Sequence, residues 1–171
     1  MLRLALVVCV LAMAGCSDGG SLDGASTEPA VGDPASTEVA LLTAVDVSKV
    51  DGHDRVVFKF ANSVPGYDIR YVDRPVLADG SGAEVAVGGA EVMRARFEPA
   101  LDADLTKENV PRTYFGPVRF SPKDAKTVVE LVRTGGFEAV LTWVIGVKEK
   151  VPFKVTTLDD PARVVVDLAS E

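Results

Sequence analysis

The sequence predicts an all-β fold, a two-sheet β-sandwich of about nine short strands. Residues 163–168 alternate with period two, so that Val164, Val166 and Leu168 share one face, as in a strand that buries one side. The run Val140–Val147 is apolar on both parities, which indicates a strand buried on both faces. Turns rich in Gly, Pro and Asp recur at regular spacing, and no amphipathic helix longer than two turns is visible.

The composition restricts the class of function before any motif is considered. The 171 residues permit one domain, and the apolar fraction of 47% permits an ordinary core. The net charge of −7 makes nucleic acid and anionic lipid surfaces unfavourable partners. Two cysteines and one histidine are too few for the usual zinc sites and nucleophilic triads. We therefore expect no catalytic residue, no metal site and no cofactor.

The first fifteen residues have the features of a secretion signal. A short positive start with Arg3 precedes an apolar run at residues 4–13, which is too short to span a bilayer. The small residues before Cys16 resemble a bacterial lipobox, which implies cleavage before Cys16 and attachment of lipid to its sulfur. Two or three acyl chains would anchor the protein firmly to a membrane. An ordinary cleaved signal that leaves Cys16 free is the alternative.

Residues 17–38 predict a disordered tether. They are rich in Gly, Ser, Ala and Pro, and they contain five acids, no base and no aromatic residue. Such a segment cannot bury enough apolar surface to fold, and a flexible coil of this length would reach roughly 25 Å. We therefore expect a signal peptide at residues 1–15, a lipidated cysteine and disordered tether at 16–38, and one folded domain at 39–171.

The folded part is predicted as a succession of strands and turns. Alternation in residues 55–60 places Val56, Phe58 and Phe60 inward. Turns are expected at Asp51-Gly52, at the glycine pair 135–136 and at residues 159–161. Residues 101–110 have room for one helical turn at most. The expected strands are residues 41–47, 55–60, 67–72, a short edge strand at 85–87, 92–97, 128–133, 140–147, 151–158 and 163–168.

The order of several motifs resembles the AMIN-like domain of secreted lipoproteins from high-GC Gram-positive bacteria. The motifs are DRVVF at residues 54–58, VPGY at 64–67, PFKV at 152–155 and PARVVVDL at 161–168. The resemblance covers about residues 40–169. It implies a relative of the AMIN domain of cell-wall amidases and secretins, a β-sandwich without catalysis. It also implies a location on the extracytoplasmic face of a bacterial cell membrane and binding to the cell envelope, with peptidoglycan as the ligand.

Glycan binding requires aromatic faces for sugar rings and planar polar groups for carboxylates and acyl oxygens. The alternative is that Tyr67 and Tyr71, which share a face with Ile69, pack in the core with their hydroxyls at its rim, and that Arg74 and Arg112 are ordinary solvated side chains. The lone His53 stands between two acids in a turn, where we expect an exposed histidine. The candidate ligand-binding residues are Tyr67, Tyr71, Arg74, Arg112 and Tyr114.

Two further classes of function remain open. A protein-interaction scaffold would recruit a cell-wall enzyme through a sheet edge or through residues 113–120. A carrier of an apolar ligand would need a sizeable cavity between the sheets. The expected partners are therefore the membrane, through the N-terminal lipid, and peptidoglycan or a cell-wall protein, with no nucleic acid.

Overall fold

The computed structural model describes residues 22–170, which form two sheets packed face to face. The signal peptide and Cys16 lie outside the described residues, so the predictions for them stay predictions. In the described part every regular element is a strand, and no helix there is long and apolar enough to cross a membrane. These observations confirm the all-β sandwich.

Eleven strands make up the described part, against the predicted nine, because three strands of two or three residues are too short to show a period and the predicted edge strand at residues 85–87 does not form. One sheet has the order β1-β4-β5-β9-β8-β7 and the other β10-β11-β3-β2-β6. All neighbours are antiparallel except β2 and β6. The strands are β1 Ala30–Gly32, β2 Ala40–Val50, β3 His53–Ala61, β4 Gly66–Val72, β5 Glu91–Glu98, β6 Ala100–Leu101, β7 Arg119–Phe120, β8 Val128–Phe137, β9 Val140–Val147, β10 Phe153–Asp159 and β11 Ala162–Ala169.

The core lies between the two sheets and is centred on Trp143, which is fully buried. The inward positions of β3 are those that the alternation predicts, and Phe58 approaches Trp143 with ring centroids 6.3 Å apart. Phe97 lies 4.7 Å from Phe58, and Tyr114 meets Trp143 edge to face at 5.6 Å. Tilted and edge-to-face contacts are the favoured arrangements of aromatic pairs. These rings therefore fill the centre of the sandwich.

Residues 22–38 belong to the fold, so the prediction of disorder is wrong for this stretch. Ser26 exchanges two backbone hydrogen bonds of 3.0 and 2.9 Å with Phe153 at the start of β10. A few residues later β1 pairs with β4 in the other sheet. Gly32 lies directly against the Tyr67 ring, where a Cβ atom would overlap it. Composition does not reveal this order, because the segment is held by backbone hydrogen bonds to the edges of both sheets rather than by apolar burial.

Residues 73–90, which we call the cover loop, cross the outer face of the six-stranded sheet. Val76 and Val87 of the loop pack on Val92, Val132 and Val144 of the sheet to form a second, smaller apolar cluster. The predicted edge strand within this loop is wrong, since its backbone forms only an isolated bridge between Leu77 and Glu84. The loop encloses space between itself and the sheet.

Beyond Leu101 of β6, residues 102–110 form turns and an isolated bridge at Ala103, which agrees with the expectation of one helical turn at most. The expectation of a turn at the glycine pair is wrong. Gly135 and Gly136 do not end the strand, because β8 continues through them to Phe137 with an irregularity between Arg133 and Gly135. An irregularity of this kind absorbs an unpaired residue and lets the strand continue.

Candidate functional site

The outer face of β4 and β5 carries a cluster of arginines. Because Ile69 and Ala95 point into the core, the residues that alternate with them point outward. The strand register places Arg70 opposite Arg94, and Asp68 opposite Arg96. We call the three side chains Arg70, Arg94 and Arg96 the arginine face.

Two carboxylates orient the arginine face without occupying all its donors. Arg70 donates from Nε and Nη2 to the two oxygens of Asp68, at 2.6 and 2.8 Å. Arg94 Nη2 lies 3.8 Å from Asp68 Oδ2, and Arg96 pairs with Glu98 at 2.6 Å. Each guanidinium has five N–H donors, so most of them remain free. The three arginine side chains are 37–39% exposed, which leaves their heads open to a ligand.

A groove of about 420 Å³ borders the arginine face on the side of β1. Tyr67 is half-buried there beside Gly32, and Arg96 and Asp68 also line the groove. Because Tyr67 shares its face of β4 with Ile69, its ring packs partly against the core, and the groove combines the accessible part of that ring and two prolines with the guanidinium of Arg96. This groove therefore suits a sugar ring that carries polar substituents.

A second cavity, of about 280 Å³, lies on the other side between the cover loop and the sheet; we call it the loop pocket. Arg94 lines it together with Asp73, Asp79, Thr134 and apolar side chains. Arg94 Nε and Thr134 Oγ1 are buried there without a hydrogen-bond partner. The groove and the loop pocket thus flank the arginine face on opposite sides.

Of the five predicted ligand-binding residues, only Tyr67 lines this site. Arg74 is exposed, but its Nη2 donates to the carbonyl oxygens of Val87 and Gly89 at 2.9 and 2.8 Å, so it holds the cover loop. Arg112 is exposed on another loop, where its backbone bridges Ala103. The structure therefore does not bring these two arginines together with Tyr67.

Tyr71 and Tyr114 also face the interior, and for Tyr71, as in part for Tyr67, this is what the alternative expects. The Tyr71 hydroxyl donates to the Val151 carbonyl at 2.8 Å and accepts from the Val151 N–H at 2.9 Å, and burial raises the pKa of Tyr71. Tyr114 is 1% exposed and donates to the Pro117 carbonyl at 2.8 Å, and burial also raises its pKa. Tyr114 therefore has no ring face available to a ligand, which corrects that prediction.

The expectation of an exposed His53 is also wrong. His53 begins β3 and is 9% exposed, with Nε2 3.5 Å from Asp167 Oδ1. Arg55 donates to the same carboxylate from Nε and Nη2 at 2.7 and 2.9 Å, and this hydrogen bonding raises the pKa of Arg55. The cluster ties β3 to β11. Within residues 22–170, no three His, Cys, Asp or Glu side chains are grouped to hold a metal ion.

Sequence reasoning misses Arg94 and Arg96. The signal was present in the alternation of residues 91–98, which puts both arginines on the face opposite Phe97. Their importance depends on pairing with β4, because only the register of the two strands brings them beside Arg70. Predicting this cluster from the sequence would require the assumption that β4 and β5 pair with each other across the cover loop.

No curated protein and no solved structure matches the chain. The family model that describes the AMIN-like domain matches residues 40–170, which is most of the described part. The two-sheet architecture agrees with the sandwich that this resemblance implies. The chain therefore belongs to the AMIN-like domain family.

Proposed function

We propose that this protein is a non-catalytic module that binds peptidoglycan through the arginine face and the Tyr67 groove. AMIN-like domains are extracytoplasmic modules of the cell envelope, and they are generally non-catalytic binding domains. The single observation that carries the proposal is the cluster of three outward arginines in a chain whose net charge is −7. Three guanidinium groups against the two carboxylates of Asp68 and Glu98 leave one excess positive charge there, which favours anionic groups.

The chemistry of the site fits a glycan that carries peptides. Free guanidinium donors of Arg94 and Arg96 match the planar geometry of peptide carboxylates and acyl oxygens. The groove beside Arg96, lined by Pro34, Pro99 and the accessible part of Tyr67, offers an apolar surface to one face of a sugar. Since the three arginines are only partly buried, each contact is screened by salt, and affinity arises from many contacts along a polymer.

We further propose that lipid on Cys16 anchors this module to the outer face of the cell membrane. Because the described fold already begins at Leu22, the chain from Cys16 to that point spans at most about 20 Å. The domain would then lie close to the lipid headgroups, in reach of the innermost wall. Metabolic labelling with a clickable fatty acid, compared between wild type and Cys16→Ala, tests the anchor, and equal labelling of the two would refute it.

The location of the site is tested by mapping with soluble peptidoglycan fragments. Muramidase-digested peptidoglycan is titrated into the ¹⁵N-labelled mature chain carrying Cys16→Ser. We expect the largest amide shifts in β4 and β5, the strands that present the arginine face. Shifts confined to β10, at the edge of the other sheet, would contradict the proposed site.

The outer edge of β10 favours a second candidate function, the docking of a protein partner. Phe153 directs its N–H and carbonyl outward to Ser26, so by alternation Val155, Thr157 and Asp159 also direct theirs outward. None of these three residues has a backbone partner on that side among the described residues. A free edge can accept an added strand. Crosslinking from Thr157 in intact envelopes would identify such a partner, and capture of lipid or glycan alone would remove this candidate.

No comparable observation favours a carrier of an apolar ligand. That function requires a sizeable cavity between the sheets, and the aromatic rings around Trp143 contact one another there.

A further inference from the structure

The loop pocket contains polar groups of both signs that the fold itself does not use. We propose that it binds the headgroup of an α-amino acid, a carboxylate and an ammonium group joined by one carbon. This inference rests on the proposed function, since the peptides of peptidoglycan present such a headgroup where a diamino acid keeps the amino and carboxyl groups of its second α-carbon free. The inference extends the proposed function by naming the class of ligand that the loop pocket binds.

The donors of the pocket lie on the sheet. Four buried side-chain atoms in the described part lack a hydrogen-bond partner, and two of them, Arg94 Nε and Thr134 Oγ1, belong to residues of this one pocket. Thr134 is only 8% exposed. Buried donors without partners are unfavourable in a folded protein, so they mark places where an external acceptor gains most. A carboxylate has two oxygens and can accept from both donors.

The acceptors lie on the cover loop. The carboxylates of Asp73 and Asp79 line the pocket, and neither forms a hydrogen bond or an ion pair with another described residue. The backbone N–H of Asp79 donates to the Thr134 carbonyl at 3.0 Å, which fixes this acidic residue beside the sheet donors. Gly135 permits that approach, because a Cβ atom there would overlap the Asp79 carboxylate.

The mixture of charges discriminates between ligand classes. A simple anion that reaches Arg94 meets the uncompensated charges of Asp73 and Asp79, and a simple cation that reaches the two aspartates meets Arg94. A zwitterion satisfies both sides at once. The volume of about 280 Å³ lies at the small end of ligand pockets, which are usually about 300–1,000 Å³, and so suits one small amino acid.

Apart from Thr142, the rest of the pocket lining is apolar and limits which side chain of the ligand fits. Val76 and Leu77 of the cover loop and Val144 of β9 contribute this lining. Such a surface accommodates a short aliphatic side chain such as the methyl group of alanine. A larger ionised side chain would lose its hydration there without finding a partner.

The test titrates three small probes into the ¹⁵N-labelled mature chain carrying Cys16→Ser. Alanine carries both charges, propionate only the carboxylate and isopropylamine only the ammonium. We expect alanine to shift the amide resonances of Thr134 and Asp79 saturably, and the other two probes to bind at least tenfold more weakly. Equal binding of all three probes, or no shift with alanine, would overturn the inference.

Variants locate the binding within the pocket. Thr134→Val and Asp79→Asn should each weaken alanine binding about tenfold, the effect of losing one charge-assisted hydrogen bond. The matched control is Thr156→Val, which replaces an exposed threonine of β10 outside the pocket and should leave alanine binding unchanged. If both pocket variants bind alanine as tightly as wild type, the inference is also overturned.

The two proposals fail separately. If peptidoglycan fragments shift the arginine face while alanine shifts nothing, the amino-acid pocket is refuted and the proposed function stands. If alanine binds while neither fragments nor intact wall bind, the pocket stands as a site and its assignment to peptidoglycan is refuted.

Discussion

Asp54 offers the sharpest test of how the fold is held together. This residue of β3 is fully buried, and its carboxylate accepts the backbone N–H groups of Lys126, Thr127 and Val128 at 3.0, 2.6 and 2.9 Å. In Asp54→Asn the remaining oxygen can keep two of these bonds, but the new NH₂ group faces the third N–H. The loss of one charge-assisted bond costs about 1.5–3 kcal/mol, and the unpaired donors cost about 1–3 kcal/mol more. We therefore expect the free energy of unfolding to fall by about 2.5–6 kcal/mol.

Urea unfolding followed by the fluorescence of Trp143 measures this loss, because Trp143 is the only tryptophan and is fully buried. The matched control is Asp46→Asn, which removes an exposed ion pair with Lys59 and should cost less than about 1 kcal/mol. If Asp54→Asn unfolds within about 1 kcal/mol of wild type, the carboxylate is not what fixes the start of β8, and the reasoning from buried hydrogen bonds is refuted.

Three further predictions follow from the same structure. Arg74→Ala removes two hydrogen bonds to loop carbonyls, so amides of the cover loop should exchange with solvent at least about tenfold faster while those of β9 do not change; equal exchange would contradict this role. Burial raises the pKa of Tyr71, so the folded protein favours the neutral hydroxyl. The stabilisation by this neutral side chain is therefore lost as the pH rises above about 10, where an unfolded tyrosine ionises. Tyr71→Phe should therefore flatten the alkaline decline in Tm, and an unchanged decline would refute the assignment. A chain that starts at Val39 exposes the edge of β4 and frees Phe153 at the start of β10, so it should melt at lower temperature and self-associate more in sedimentation velocity than a chain from Leu22.

The strands with strong periodicity could be predicted from the sequence because burial imposes the period. The inward positions of β3 and the doubly buried β9 follow directly from the alternation and from the continuous apolar run. The order of residues 22–38 could not be predicted, since it depends on hydrogen bonds to distant edges such as that at Phe153. Local composition contains no information about such partners.

The candidate site was less predictable than the fold. Tyr114 looks available beside Gly116-Pro117, but that turn brings the Pro117 carbonyl to its hydroxyl and the ring enters the core. Arg94 and Arg96 look like ordinary surface residues until the register places them beside Arg70. Side-chain direction can be inferred from alternation, whereas proximity between strands requires the topology.

Sedimentation with intact cell walls tests the central claim, that the arginine face binds peptidoglycan. The mature chain carrying Cys16→Ser is mixed with purified sacculi, and the pelleted fraction is measured against concentration at low and moderate salt. We expect saturable binding that Arg94→Ala/Arg96→Ala weakens about threefold to tenfold, since each lost contact between a partly exposed arginine and a carboxylate costs about 0.2–1 kcal/mol. Arg112→Ala, an exposed arginine away from the site, should bind like wild type. Equal pelleting of all three chains, or no pelleting of any, would contradict the claim.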